Sequence, residues 1–128
     1  MNRVEINVEA QVNPTESYEK VEAAIRNIFP NASVEVREEG VVMAYLEGLD
    51  ALTKLYNLLR RERIRSAARS VLRRGAEGKL ITFYLNKQAA YMERLSFSEP
   101  VGESPLGPIK VQIRCEEPEK LIRWLTEE

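Results

Sequence analysis

The chain predicts an α+β fold: one domain over residues 1–128, with helices packed on a mainly antiparallel mixed sheet. Three observations lead there. Segments such as "VEINVEAQV" and "IKVQIRC" alternate apolar and polar residues with the period of a strand. Between them lie stretches with apolar residues at helical spacing, one capped by an Asn-Pro pair. At 128 residues, with 44% apolar and 30% charged composition, the chain suits a single core and has no linker long enough to divide it.

Val4, Ile6, Val8, Ala10 and Val12 share one side of the first strand. In "NPTESYEKVEAAIRNIF" the side chain of Asn13 is expected to cap a helix. Pro14 suits the first turn, Glu16 stands at the capping-box position, and the helix should run to about Phe29. "ASVEVREEGVVMAYLEG" reads as a hairpin around Glu38-Glu39-Gly40. A helical pattern then covers residues 49–74, about 39 Å at 1.5 Å per residue, longer than a small domain is wide.

That pattern changes phase. Leu49, Leu52, Leu55, Tyr56 and Leu59 share one face, whereas Ile64, Ala67, Ala68, Val71 and Leu72 define another, rotated by roughly 110°. A break or kink is predicted at Arg60 to Arg63. Gly75 is a plausible left-handed cap. "KLITFYLN", partly apolar on both faces, is the candidate central strand. Asn86 should cap a short helix or turn, a weak strand is expected near Leu95 to Phe97, and Pro118 should open a terminal helix through Leu125.

Some functions are poorly supported. A single cysteine and no histidine remove disulfide frameworks, cysteine-rich zinc sites and the commonest proton shuttle. Cys115 continues the Ile109, Val111, Ile113 side of its strand and is expected to be a buried small hydrophobe. No acidic spacing suggests a metal pair, and no metal, cofactor or catalytic residue is predicted. "RRGAEGKL" is not a P-loop, because two residues separate its glycines where four are required and Leu80 stands at the Ser/Thr position. No segment has the roughly 20 apolar residues of a membrane span, and "MNRVEINVEA" has no signal-peptide core, so a cytoplasmic location is expected.

The charge distribution is the informative feature. "LLRRERIRSAARSVLRRG" holds seven arginines and one glutamate in a chain of net charge −1. Arg61, Arg65, Arg69 and Arg73 step by four along a helix, and Arg63 and Arg74 flank the opposite edge. Ser66 and Ser70 leave room between them for a phosphate chain. Like charges at this spacing cost a few tenths of a kcal/mol per pair, and arginine suits bidentate phosphate contact. The same residues equally fit a helix C-terminal dipole (Arg73, Arg74) or pairing with glutamates elsewhere (Arg60, Arg63). In "LNKQAAY", the amides of Lys87 and Gln88 open a short helix, and Tyr84 or Tyr91 offers a stacking ring; the plainer reading is a strand-to-helix junction.

Four phrases, "VEAQVNPTE", "LLRRERIRSAARSVLRRG", "ITFYLNKQAAY" and "LGPIKV", occur in order over nearly the whole chain. Through them it resembles a small archaeal protein family without an established activity. The resemblance implies a fold similar to the large-subunit ribosomal protein that binds 5S rRNA, and a relation to an archaeal group described as RNA-binding and exosome-associated.

The function expected is a non-enzymatic RNA-binding module. Arg61, Arg65, Arg69, Arg73 and Arg74 would contact phosphates, with Lys79, Lys87 and Gln88 in second rank. The alternative is a protein-interaction or self-assembly module whose arginine face docks an acidic surface, such as the "EEPEK" of another copy. A small-molecule enzyme would need a deep pocket with converging polar groups near Asn86 or Tyr91.

Overall fold

The computed structural model describes residues 3–37, 40–99 and 107–127. Among the described residues there are six strands and five helices. They are β1 (Val4–Gln11), α1 (Tyr18–Ile28), β2 (Ser33–Arg37) and β3 (Val41–Glu47), then a 3-10 turn (Leu49–Leu52), α2 (Thr53–Arg61) and α3 (Arg65–Arg74). There follow β4 (Ala76–Glu77), β5 (Leu80–Asn86), α4 (Lys87–Tyr91), β6 (Pro108–Cys115) and α5 (Pro118–Thr126). The strands form one sheet in the order β2-β3-β1-β6-β5-β4, and every described pairing in it is antiparallel.

Strand alternation sets the layers. Val4, Ile6, Val8 and Ala10 of β1 lie level with Ile109, Val111, Ile113 and Cys115 of β6, and all are buried under the helices. Glu5, Asn7 and Glu9 take the other face. The helices close the core with Val21, Ala24, Ile25 and Ile28 from α1, Leu55, Leu58 and Leu59 from α2, and Leu121, Ile122 and Leu125 from α5. Cys115 is a buried thiol whose pKa is pushed up by that burial.

Several expectations are corrected. Helix α1 starts at Tyr18 and is capped by Ser17, whose hydroxyl accepts from Lys20 N at 3.2 Å. Asn13 and Glu16 make a separate turn before it, with Glu16 N donating to Asn13 O and Glu16 Oε1 accepting from Asn13 N. Half of the capping-box geometry is thus present in the turn just before the helix, and Ser17 is the residue that caps it. The central strands are β1 and β6. β5 has β6 on one side and, on the other, only two-residue β4 and a single bridge from Leu85 to Phe97, all that forms of the weak strand expected near there. Leu80, Thr82 and Tyr84 are half-buried rather than roofed by a second layer.

Gly75 has φ −87°, so it is no left-handed cap. It is needed for closeness: a Cβ there would lie 1.9 Å from the backbone oxygen of Thr82. The glycine lets α3 turn directly into the β4–β5 hairpin, whose tight turn uses Gly78 at φ +60°. The Glu38-Glu39 part of the β2–β3 turn lies outside the described residues. Among the described residues no helix is long and apolar enough to cross a membrane.

Candidate nucleic-acid interface

The break in the long helical region falls where the phase change puts it. α2 ends at Arg61, α3 begins at Arg65, and Arg63 between them adopts φ +57°. A left-handed arginine costs about 1 kcal/mol or more, and the packing on either side holds it there. Leu58 and Leu59 are buried before the break, and Ala68 and Leu72 after it. Ala67, expected on the apolar face, is exposed.

The same turn sends most arginines toward α5. A helix leaves its last carbonyls without intrahelical partners, and in α5 arginines from α2 and α3 take them. Arg60 Nη1 donates to Leu125 O at 3.1 Å and its Nη2 to Glu127 O at 2.9 Å. Arg65 donates to Glu127 O at 3.0 Å, and Arg69 donates to Thr126 O at 2.8 Å and Thr126 Oγ1 at 3.1 Å. Each cation also sits at the negative end of the α5 dipole. At the other end of α5, Arg73 Nε donates to Glu119 Oε1 at 3.1 Å and holds that carboxyl below the usual range. Residues 65, 69 and 73 thus meet residues 127, 126 and 119, so α3 and α5 run antiparallel. Arg60 lies over the Tyr56 ring at 3.4 Å from its centroid, and Tyr56 stacks on Trp124 at 4.8 Å.

Arg65, Arg69 and Arg73, expected to contact phosphates, therefore all have partners within the chain. The stripe exists, but it faces the chain's own terminal helix, and the acidic "EEPEK" segment supplies Glu119 to it. Arg61 donates to Glu93 O and pairs with Glu62. The residues left over are those on the opposite edge. Arg63 and Arg74 are exposed and make no side-chain hydrogen bond or ion pair among the described residues. Between them α3 presents Ser66, Ala67 and Ser70, all exposed and all short.

Arg74 also lines a pocket of about 390 Å³ where α3 ends against β5, together with Gly75, Thr82, Tyr84, Phe97 and Ser98. It combines the Arg74 guanidinium with three aromatic residues, Phe83, Tyr84 and Phe97, and Glu99 also lines it. Among the second-rank candidates, Lys79 is exposed and paired with Glu116 at 2.7 Å. Gln88 is exposed at the start of α4. Lys87 is corrected outright: its side chain is fully buried and bonds Gln11 O at 2.6 Å and Glu16 Oε1 at 3.1 Å, so it does not present its charge to a phosphate. Asn86 caps α4 as expected, accepting from Ala89 N at 2.9 Å. No group of three or more metal-ligating side chains converges among the described residues.

Sequence reasoning missed Arg63 as a first-rank candidate and missed the Glu16–Lys87–Tyr91 cluster. Tyr91 Oη donates to Glu16 Oε2 at 2.6 Å, while Glu16 Oε1 accepts from Asn13 and Lys87. Burial alone would push the Glu16 pKa up, yet the bonds from Tyr91, Asn13 and Lys87 hold it below the usual glutamate value. Burial and the adjacent Glu16 carboxylate raise the Tyr91 pKa well above its ordinary value.

A family model described as RNA binding matches residues 5–115. A UPF0201 protein of Sulfurisphaera tokodaii is 44% identical over 124 residues, which cover 94% of this chain and 86% of the relative. One from Sulfolobus acidocaldarius is 45% identical over 122 residues, 93% of this chain and 84% of the relative. A crystal structure of a UPF0201 protein superposes with TM-score 0.87 at 39% identity, covering 97% of this chain and 94% of that one. The 2.2 Å structure of the UPF0201 protein from Methanococcus jannaschii gives TM-score 0.82 at 34% identity, covering 97% and 93%. With sequence and fold matched over nearly its full length, the chain belongs to the archaeal UPF0201 family.

Proposed function

We propose that this protein is a non-enzymatic RNA-binding module whose outer α3 face grips the phosphate backbone, in the cytoplasm. The observation that carries the reading is the pair Arg63 and Arg74, two exposed guanidinium groups without a partner among the described residues. They bracket the short side chains of Ser66, Ala67 and Ser70, inside the span matched by the RNA-binding family model. Arginine donors at the two ends of a smooth helix face suit phosphates a few nucleotides apart on one strand. The pocket beside Arg74 adds Tyr84 and Phe97, against which an unpaired base can stack. The resemblance to the fold of the 5S-rRNA-binding ribosomal protein and to an exosome-associated group supports the same reading.

Of the residues expected from sequence, Arg74 stays in first rank and is joined by Arg63. Arg61, Arg73 and Lys79 follow, since their surface ion pairs are weak enough for a phosphate to displace. Gln88 is exposed but lies on α4. Arg65 and Arg69 are held by α5, so alanine there tests stability together with binding. A self-assembly module is the second reading, and its acidic target is already engaged by Arg73 within one chain.

Fluorescence anisotropy with a labelled single-stranded RNA over a salt series tests the proposal. The wild type should lose affinity steeply with salt, and Arg63→Ala/Arg74→Ala should weaken binding across sequences and reduce the salt slope by about 1.4, since each single-strand phosphate contact contributes about 0.7. Affinity and slope unchanged in that variant would overturn it.

A further inference from the structure

A pocket of about 500 Å³ lies between α1 and α4, lined by Thr15, Glu16, Lys20, Ala23, Asn27 and Tyr91. Its wall and floor differ in kind. The wall is the Tyr91 ring and Ala23, more apolar than polar. The floor is the Glu16 carboxylate, whose side chain is only 6% exposed and is backed by the fully buried Lys87. A buried ion pair is a weak source of stability, because desolvation offsets most of its attraction. One that forms the floor of a pocket is a candidate for recognition.

Two acceptor atoms face no donor that would satisfy them fully. Asn27 commits its Nδ2 to Ala90 O at 2.8 Å and Tyr91 O at 3.4 Å. Both partners are carbonyls, so the amide orientation is fixed, and Oδ1 takes no bond from the described residues. Glu16 Oε2 accepts one bond, from Tyr91 Oη, and keeps lone-pair capacity. Lys20 is exposed at the rim, and its ammonium makes no bond among the described residues. A ligand for this pocket therefore has a flat face for the tyrosine ring, a donor for two oxygen acceptors, and an anion for Lys20.

We propose that the pocket between α1 and α4 binds a nucleotide whose base carries an exocyclic amino group, stacked on Tyr91, with its phosphate at Lys20. The amino group donates to Asn27 Oδ1 and Glu16 Oε2. A base with a carbonyl at that position turns an acceptor toward two acceptors and is disfavoured. The inference does not rest on the α3 reading, since the pocket shares no residue with that face.

The test is an NMR amide-shift titration of the full chain with AMP and with IMP, which differ by an exocyclic amino group against an oxo group and by the hydrogen that IMP carries on N1. AMP should shift Ala23, Asn27 and Tyr91 and bind about tenfold tighter than IMP, the equivalent of one hydrogen bond to a charged group. Ala23→Phe fills the pocket from an exposed position and should abolish binding without changing the melting temperature. Arg63→Ala/Arg74→Ala should bind AMP as the wild type does, which separates this proposal from the RNA interface. A 5′-phosphorylated oligoadenylate identifies the source of the ligand: tighter binding than AMP means an RNA end, weaker binding a free nucleotide, and both support the pocket. No shift at the three residues, equal affinity for AMP and IMP, or AMP binding that survives Ala23→Phe would overturn it.

Discussion

Two charged clusters hold this fold together in opposite ways. Along the α3–α5 seam, arginines at the surface bond the carbonyls and one carboxylate of a neighbouring helix, with water close by. Under α1 and α4, the fully buried Lys87 meets a Glu16 side chain that is only 6% exposed, and Tyr91 and Asn13 donate to the same carboxylate. The chemistry is similar but the dielectric is not, so each seam contact is individually replaceable, whereas the buried cluster stands or falls as a unit.

The largest effect should follow from breaking the buried pair on one side only. Lys87→Met leaves the Glu16 carboxylate without a counter-charge and should cost about 3–5 kcal/mol, read as a lower urea midpoint. Adding Glu16→Gln should recover much of that loss, because a neutral amide costs far less to bury than a lone carboxylate. If the double variant were as unstable as Lys87→Met alone, the two residues would not be energetically coupled.

The buried cluster should also give stability a pH dependence at both ends. The Glu16 pKa is lowered in the folded state, so its contribution is present above the unfolded value and is lost as pH falls through the folded one. The Tyr91 pKa is raised, so its contribution is present below the ordinary tyrosine value and fades as pH rises through the folded one. Tyr91→Phe should shrink the alkaline loss, leaving the part owed to Tyr45, whose pKa the bond to Glu47 pushes up to about 12, and should leave most of the acid loss, measured as urea midpoints across pH. An unchanged alkaline limb would mean that the hydroxyl is not tied to the carboxylate.

The two clusters were unequally legible in the sequence. Most of what depends on local period came through: the alternation of β1 and β6, and the Arg60 to Arg63 break that the Leu59-to-Ile64 phase shift requires, though Ala67 of the second face is exposed. What failed depends on contacts between distant segments. Lys87 stands in a polar stretch and meets Glu16 across 71 positions of sequence, which no local pattern records. Glu16 was misread as a capping residue because its carboxylate does reach Asn13 N, yet Ser17 begins the helix. Gly75 was read as a conformational need when the need is room beside Thr82. The spacing of the arginines shows a stripe but not which neighbour it meets.

The smallest effects should come from the seam, graded by how far each arginine is from water. Arg69 is partly buried and bonds both the carbonyl and the hydroxyl of Thr126, so Arg69→Ala should cost about 1–3 kcal/mol by orphaning a helix-terminal carbonyl. Arg73 and Glu119 are each 52% exposed, and water and ions can replace either. Arg73→Ala should therefore shift the melting temperature least of all, and molar salt, which cuts the Debye length to about 3 Å, should erase the difference from wild type. If Arg73→Ala were as damaging as Arg69→Ala and insensitive to salt, the seam would be a cooperative network like the buried cluster, and the contrast between the two would collapse.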